Sequence, residues 1–355
     1  MHRLKVKPSG RTLIAIFAVV VIFWNEYLAL KISSLSWLPP SENPNAFPIL
    51  IVSDPQIIGY RNEPAGIGPL SRWDADRYLA RGFAQAVAVA KPKAIIFLGD
   101  LFDEGVQMNN QEFEYTIERF KAIFPEIRNV LTFYIPGDND IGGEYEPVYD
   151  RLVNRFARRF DHTSAALKAS KSFMKFASID SLANNEVSVL SSPDNAKVKI
   201  LMSHIPLVRV VGRKLNEELT KYDPDLVLSA HDHTAEIYLR DRLSTQFKRF
   251  ALHRSIEFII SPTHPTIEIQ SPTVSYRMGV QNMGYGVLTL SDESPAVVQY
   301  TIYWLPGRYP QLCLYIFALI VISYYFLRRY FVFNFKSKPR TRNSFLPLKK
   351  GKNIQ

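Results

Sequence analysis

The chain has 355 residues, 47% of them hydrophobic, which excludes an intrinsically disordered protein and allows at least one sizeable core. Its formal net charge of +10 would suit a nucleic-acid-binding protein, but the basic excess lies at the two ends. Residues 1–12 hold four basic residues and no acidic one, and residues 328–355 hold nine and none; outside these tails, 30 basic residues stand against 33 acidic ones. The charge distribution therefore predicts no nucleic-acid partner.

An apolar segment lies beside each basic tail. Leu13 to Trp24 contains no polar residue. Leu312 to Leu327 consists of apolar and aromatic residues except for one polar residue, Ser323. With their extensions, both approach the roughly 20 residues that a helix needs to cross a bilayer, and basic flanks are typical of cytosolic ends. The sequence predicts transmembrane helices over residues 13–32 and 311–333, a lumenal domain over 36–308, and cytosolic tails over 1–12 and 334–355.

Two alternatives remain for these segments. The first could be a cleaved signal peptide, and the second could be a buried core helix. The single cysteine, Cys313, excludes an intrachain disulfide, and the chain contains no Asn-x-Ser/Thr site for glycosylation. The predicted topology therefore depends on charge alone.

Between the apolar segments, five strand-like runs are each followed by a residue that can bind a metal. Near-continuous apolar runs are typical of strands that are buried on both faces, and here they cover residues 48–52, 94–98, 130–135, 198–202 and 226–228. The polar residues that follow them are Asp54, Asp100, Asp138, His204 and His231, with Gln56 and His233 two positions beyond the first and the last.

Helical patterns separate the first three runs. One is expected to begin at a capping box at Ser71 and to continue to about Ala90, and another covers residues 110–124. Alternating strands and helices predict a largely parallel sheet, and ligands collect at the carboxyl ends of such strands. The sequence therefore predicts one metal site at the ends of several strands.

The remaining segments are less informative. Further strands are predicted over residues 257–260, 266–270, 286–290 and 297–304. The Arg-rich segment 151–160 predicts either a helical insertion or a solvated face.

The order and types of the polar residues resemble the calcineurin-like metallophosphoesterase superfamily. Its pattern reads Asp-x-His, Gly-Asp-x-x-Asp, Gly-Asn-His-Asp/Glu, His and Gly-His-x-His, and the matching segments here are 53–56, 99–103, 137–140, 203–204 and 230–233. The resemblance implies an α/β fold, a two-sheet β-sandwich flanked by α-helices, here with one transmembrane helix at each end. It also implies that the four strands predicted between residues 257 and 304 form the second sheet. It further implies two divalent metal ions. Asp54, Gln56, Asp100 and His233 would hold one, and Asp100, Asp138, His204 and His231 the other, with Asp100 as the bridge.

Three positions depart from the family pattern. Gln56 replaces a histidine, so its carbonyl oxygen binds metal or the position is vacant. Asp138 replaces a ligand asparagine, and the oxygen-rich shell favours Mn²⁺ or Mg²⁺ although the general affinity order favours Zn²⁺. Asn139 replaces the histidine that is credited with protonating the leaving group, with Asp103 as its supporting residue.

Asn139 and Asp103 are thus the catalytic candidates. Because asparagine cannot donate a proton at neutral pH, the expected proton source is metal-bound water, with Asp140 and His264 as other candidates. Arg209 and Arg277 could contact a phosphate oxygen or could be solvated surface groups.

The apolar flanks and the segments 99–105, 140–142 and 204–209 resemble a membrane-anchored branch of the superfamily. Enzymes of that branch remove ethanolamine phosphate from the glycan of GPI-anchored proteins. The resemblance implies a phosphodiesterase with a lumenal catalytic domain in the endoplasmic reticulum, its exit sites or the Golgi apparatus. Two alternatives are an enzyme of the same fold for another lumenal phosphate ester, and a non-catalytic scaffold, which Gln56 and Asn139 leave open. The sequence identifies no protein partner.

Overall fold

The structure is a computed structural model. It describes residues 8–336 except for 42, 44–45, 145, 161–171, 178–197, 210–218, 221–222, 243–245, 262 and 292–294. The chain forms two compact units: residues 26–309, and the residues up to Asn25 together with those from Pro310.

The strands in chain order are β1 Phe47–Val52, β2 Ala94–Leu98, β3 Leu131–Ile135, β4 Ser172–Ala177, β5 Val198–Ser203, β6 Leu226–Ser229, β7 Glu236–Arg240, β8 Phe247–Ala251, β9 Ser255–Ile259, β10 Thr266–Gln270, β11 Gly284–Leu290 and β12 Val297–Trp304. The helices are α1 Gly10–Phe23, α2 Ala29–Ser34, α3 Gly68–Ala90, α4 Asn110–Ile123, α5 Asp138–Ile141, α6 Asp150–Ala157 and α7 Arg308–Lys336, with a π-helical segment, Trp24–Leu28, between α1 and α2.

The unit of residues 26–309 is built on two mixed sheets. The first has the order β3-β2-β1-β11-β12-β9, in which β1, β2 and β3 are parallel and the other three continue the sheet by antiparallel pairing. The second has the order β4-β5-β6-β10-β7-β8, in which the first four strands are parallel. Parallel strands place their carboxyl ends at one edge, so each sheet collects several loops there.

Two apolar cores hold these layers together. Ile49 and Ile51 of β1 lie in one core with Ile200 of β5 and Ile269 of β10, so side chains of both sheets meet there. Leu50 of β1 points to the opposite face, into a second core with side chains of α3 and α4. Because successive side chains of a strand alternate between faces, β1 is buried on both, as its continuous apolar run predicts.

The α/β class with two sheets is confirmed, but the assignment of the late strands was wrong. Of the four strands predicted to form the second sheet, β9, β11 and β12 belong to the first, and only β10 lies in the second. An apolar pattern identifies a strand but not its neighbour, and here β11 pairs with β1 across more than 230 positions of the chain.

Two helix predictions also need correction or completion. The capping box at Ser71 is wrong, because α3 begins at Gly68 with Pro69 in its first turn, where the missing N–H of proline costs nothing. The segment 151–160 is helical as far as Ala157 and buries Leu152 and Phe156. Most of the chain from 161 to 197 lies outside the described residues.

The other unit contains α1 and α7. The helical segments Gly10–Ser34 and Arg308–Phe333, 25 and 26 residues long, are long and apolar enough to cross a membrane, although a core helix or a signal sequence can pass the same test. Within this unit the amide of Asn25 donates to the carbonyl oxygen of Gln311 at 2.8 Å. Length and composition make these helices candidates for membrane spans.

Candidate metal centre

Five candidate metal ligands lie directly after strands. Asp54 follows β1, Asp100 follows β2, Asp138 follows β3, His204 follows β5 and His231 follows β6. The structure brings all five together, in two groups whose ligand atoms lie within 4.8 Å of one another. Convergence at strand ends therefore places acidic and imidazole side chains from both sheets at one point.

The first group consists of Asp138, His204 and His231. Oδ1 of Asp138 lies 3.0 Å from Nε2 of His204 and 3.0 Å from Nδ1 of His231. Nδ1 of His204 lies 2.7 Å from the carbonyl oxygen of Leu98, which can only accept a hydrogen bond. That contact fixes the imidazole so that its Nε2 faces the cluster.

The second group consists of Asp54, Asp100 and His204. Oδ1 of Asp100 is 3.4 Å from Nε2 of His204, and Oδ1 of Asp54 is 4.0 Å from its Nδ1. The residue shared by the two groups is thus His204, whereas the family pattern implies Asp100 as the shared ligand. Asp100 and Asp138 both lie within 3.4 Å of the same imidazole nitrogen, so the two groups adjoin.

Gln56 and His233 lie at the margin of the second group. Nε2 of Gln56 donates to Oδ2 of Asp100 at 3.0 Å and lies 3.2 Å from Nε2 of His233, which is 3.8 Å from Oδ1 of Asp54. A carboxylate can only accept, so the amide nitrogen of Gln56 points inward. Metal ligation through the carbonyl oxygen requires that the amide turns over, and this ligand role stays a prediction.

The backbone is strained where the ligands lie. Eight described residues other than glycine have positive φ, and five belong to the cluster: Asp54, Gln56, Asp100, His231 and His233. A left-handed conformation costs such a residue about 1–2 kcal/mol and persists only where the surroundings impose it. Gly99 is also constrained, because its φ is +87° and a Cβ atom there would overlap the ring of His204.

Asp140 joins two of the ligand loops. Its carboxylate accepts backbone N–H bonds from Leu101 and Phe102, beyond Asp100, and from Gly137, before Asp138. Burial raises the pKa of Asp140 to about 7. Because its described hydrogen bonds all go to backbone donors, it acts as a structural link between the loops.

Asn139 holds Asp100 at both carboxylate oxygens. Its backbone N–H donates to Oδ1 at 3.0 Å, and its side-chain amide donates to Oδ2 at 2.7 Å. Asp103 shares with Asn139 and Asp138 the wall of a cavity of about 80 Å³. Burial, and then the neighbouring Glu104, raise the pKa of Asp103 to about 6.

The other candidate residues have partners within the protein, and the partner of Arg209 lies in the loop of His231 and His233. Arg209 forms an ion pair with Asp232 at 2.5 Å, and Arg277 pairs with Glu63. His264 has its Nδ1 2.6 Å from the carbonyl oxygen of Pro265, and its ring stacks on Phe258.

Two functional residues on β10 were missed by the sequence analysis. Glu268, which is fully buried, accepts the backbone N–H groups of Leu207 and Val208, just after His204. Gln270 donates at 3.0 Å to Asp232, which lies between His231 and His233. A charged group and an amide at alternate positions of a buried strand were the available signal, since such groups are rarely buried without a partner.

Gln270→Leu should therefore weaken metal binding without unfolding the protein. The amide holds the strained loop that carries two imidazoles, and losing such a support typically costs about 10–100-fold in metal affinity. Equilibrium dialysis of the full chain against Mn²⁺ measures this change, and Gln299→Leu, on β12 of the other sheet, is the matched control. Equal metal affinity in the two variants would show that Gln270 does not position the loop.

The ionisable side chains of the cluster differ in how far their surroundings stabilise the charged form. Burial raises the pKa of Asp54 to about 8. Burial also opposes ionisation of Asp138, but hydrogen bonds from His204 and His231 outweigh it and hold its pKa below the usual range. Burial, with the nearby His204 and His231, lowers the pKa of His233 to about 4, so its imidazole is neutral and can bind a metal.

Asp54 is the clearest sign that a cation belongs here. Its side chain is fully buried, and neither carboxylate oxygen has a hydrogen-bond partner among the described residues, although the nearby His204, and to a smaller extent the backbone N–H of His231, act to lower its pKa. A buried carboxylate without hydrogen bonds is costly, and a bound metal ion relieves that cost. Carboxylate oxygens and imidazole nitrogens are suitable donors for Mn²⁺, Fe²⁺ or Zn²⁺, so the residues fit two divalent ions.

Comparisons with known proteins agree with this centre. The calcineurin-like phosphoesterase family matches residues 47–235. Cell division control protein 1 of Saccharomyces cerevisiae is 26% identical over 243 residues, which cover 56% of this chain and 49% of that protein. Metallophosphoesterase 1 of Danio rerio is 29% identical over 176 residues, which cover 48% of this chain and 44% of that protein.

The chain thus spans about half the length of the curated relatives that it matches. Among solved structures, a metallophosphoesterase from Sphaerobacter thermophilus has 14% sequence identity and a TM-score of 0.36, with 73% of this chain and 88% of that one covered. The family match alone spans more than half of the chain and includes all the candidate ligands from Asp54 to His233. The chain belongs to the calcineurin-like phosphoesterase family.

Proposed function

We propose that this protein is a metal-dependent phosphodiesterase of the early secretory pathway that removes ethanolamine phosphate from the glycan of GPI-anchored proteins. Membership of the phosphoesterase family supports hydrolysis of a phosphoric ester. The observation that carries the proposal is the pair of adjoining ligand groups, one of which contains the buried carboxylate of Asp54, without a hydrogen-bond partner among the described residues.

The cluster fits two ions, and we propose Mn²⁺ because carboxylates outnumber imidazoles in the second group. Asp54, Asp100 and His233 would hold one ion, and Asp138, His204 and His231 the other. When bound, two divalent ions neutralise the phosphate charge and lower the pKa of water. The chain's own part is to fix the carboxylate of Asp100, which Asn139 and Gln56 do with three hydrogen bonds.

A proton must also reach the leaving alcohol. Asn139 cannot supply it, but Asp103 lines the same cavity, and its pKa, raised to about 6, leaves about a tenth of the molecules protonated at pH 7. We assign Asp103 this role in place of the family's histidine.

The pH profile tests that role. With Asp103 as general acid, activity should fall as the pH rises above about 6, because the carboxyl then loses its proton. Asp103→Asn should lower kcat by about 10²-fold and remove that limb of the profile. A profile that is unchanged in Asp103→Asn would assign the proton to another group.

The membrane location is supported by the two apolar helices and by the charge of their flanks. Both tails are basic and without acidic residues, which favours cytosolic ends and a lumenal domain between the helices. The boundaries of that domain, 36–308, stay a prediction. Anchoring the enzyme confines it to the same surface as a lipid-linked substrate, which raises their effective concentration.

Substrate and activity can be tested together. The full chain, purified in detergent and loaded with Mn²⁺, should release ethanolamine phosphate from a GPI glycan faster than it hydrolyses lipid head-group diesters or nucleotides. Faster turnover of another diester in this panel would keep the enzyme and replace the substrate. No hydrolysis of any member by folded, metal-loaded protein would favour the scaffold alternative.

A further inference from the structure

The amino-terminal end of α3 exposes three large apolar side chains. Ile67, just before the helix, and Leu70 and Trp73 within it are 58%, 62% and 55% exposed. They are spaced three residues apart, which places them along one side of the helix. The opposite side of α3 packs into the core through Leu79, Phe83 and other residues, so these three side chains are not core residues.

An arginine lies over the tryptophan of this surface, and a second arginine–aromatic pair involves the same turns of α3. The guanidinium of Arg77 lies 4.8 Å from the ring centroid of Trp73, and that of Arg72 lies 4.5 Å from the ring centroid of Tyr60. Tryptophan and tyrosine beside arginine are the combination that settles at the headgroup level of a bilayer, with the rings towards lipid and the charges towards phosphate.

The same side of α3 contacts Glu26, which lies within the helical segment Gly10–Ser34, and Arg308, which begins the segment Arg308–Phe333. Glu26 pairs with Arg77 and, at 2.8 Å, with Arg81. Arg308, only 1% exposed, pairs with Asp74. The chain therefore leaves this unit towards α1 and towards α7 from positions beside α3.

The surface also lies near the metal centre. The loop between β1 and α3 carries Asp54 and Gln56, and it is held to α3 by a hydrogen bond of 3.1 Å from Arg72 to the carbonyl oxygen of Gly59. The first turns of α3 thus lie at the edge of the first sheet where the ligand loops collect.

We propose that Ile67, Leu70 and Trp73 form a lipid-contact surface that rests on the bilayer and turns the metal centre towards substrates held in the membrane. The proposal rests on the membrane anchoring that forms part of the proposed function. A bilayer is the favoured occupant, because the chain continues from Glu26 towards α1 and from Arg308 along α7, both candidates for membrane spans, and such a tether raises the effective concentration of lipid. Single apolar residues are common on protein surfaces, but here three occur beside both attachment points.

Depth-dependent quenching tests the contact directly. Cys313→Ser removes the only cysteine, and Leu70→Cys then carries a single environment-sensitive fluorophore. Leu131→Cys is the matched control, since Leu131 is 49% exposed and is the first residue of β3. It therefore lies on an outermost strand of the first sheet, at the end of that strand away from the ligand loops. In phosphatidylcholine vesicles with brominated acyl chains, the probe at position 70 should be quenched several-fold more than the probe at 131. Equal, weak quenching at both positions would overturn the proposal.

A second experiment tests the consequence for catalysis. The variant Ile67→Ser/Leu70→Ser/Trp73→Ser should hydrolyse a vesicle-embedded phosphodiester about tenfold more slowly than the unaltered chain, because about 1.5 kcal/mol or more of lipid contact is lost. Hydrolysis of soluble bis(4-nitrophenyl) phosphate should stay unchanged, since none of the three residues belongs to the metal centre. Equal losses on both substrates would contradict a lipid-contact role. If the unaltered chain hydrolyses neither substrate, the proposed function fails, whereas the quenching experiment still decides whether the surface touches lipid.

Discussion

Replacing Asp100 with asparagine should lower phosphodiesterase activity by about 10³-fold or more. A metal centre supplies several kcal/mol of transition-state stabilisation, and each 1.36 kcal/mol corresponds to a tenfold change in rate. Asp100 is the carboxylate at the middle of the cluster, within 3.4 Å of Nε2 of His204 and hydrogen-bonded by Asn139 and Gln56. The amide of asparagine has nearly the same shape, but it is neutral, and it faces hydrogen-bond donors that only an acceptor can satisfy.

The measurement is kcat/KM of the full chain on the GPI phosphodiester, with metal content determined on the same samples. Glu118→Gln makes the same change of charge on the exposed side of α4, where Glu118 pairs only weakly with Lys121, and its activity should stay within about twofold. Asp100→Asn protein that is folded but has lost metal and activity together supports the enzymatic function. A variant that loses hydrolysis yet retains the protein's role in cells would instead favour the scaffold alternative.

The strands around the metal centre were predictable because each consists of a near-continuous run of apolar residues in the sequence. The predicted runs for β1, β2, β3, β5 and β6 agree with the structure to within one residue at each end. Four of these strands are buried almost throughout, as a near-continuous apolar run predicts, whereas β3 lies at the edge of its sheet and has Leu131 exposed. Ligands that directly follow such strands, such as Asp54 and Asp100, could therefore be placed near one another before the structure was known.

Contacts between distant segments were not predictable in this way. Nothing near Asn139 in the sequence indicates that its amide holds Asp100, and nothing near Gln270 indicates that it reaches Asp232. These side chains are polar groups in buried or half-buried positions, and their partners depend on which strands become neighbours. The misplacement of β9, β11 and β12 has the same cause, because strand pairing over long chain separations leaves no local pattern.

Removing the metal should destabilise the unaltered protein. The unaltered chain should be more stable than Asp54→Asn in Mn²⁺, but no more stable than Asp54→Asn in chelator. With Mn²⁺ at 100 times its Kd, binding to the folded state alone adds about 2.7 kcal/mol to the stability of the unaltered chain. In chelator, the unaltered chain keeps a fully buried carboxylate whose oxygens have no hydrogen-bond partner among the described residues. Asp54→Asn removes that charge, so in chelator the variant should be at least as stable as the unaltered chain, and in Mn²⁺ it should be less stable.

The pH dependence of the stability of the metal-free chain provides a second, independent test of this prediction. Burial raises the pKa of Asp54 to about 8, whereas an unfolded aspartate releases its proton near pH 4. Between these values the metal-free folded chain binds a proton that the unfolded chain has lost, so its stability should fall as pH rises from about 4 to 8. Asp140, with a pKa raised by burial to about 7, acts in the same direction.

Thermal unfolding in chelator, followed by circular dichroism at several pH values, measures both effects. The fall in stability between pH 4 and 8 should be smaller in Asp54→Asn, which has lost one of the contributing groups, and excess Mn²⁺ should remove most of the fall in the unaltered chain. A variant that is less stable than the unaltered chain in chelator at pH 7.5 would mean that Asp54 is paired within the protein itself. The side chains of the cluster would then satisfy one another by hydrogen bonds without metal, and the cluster would not depend on metal to balance its charge.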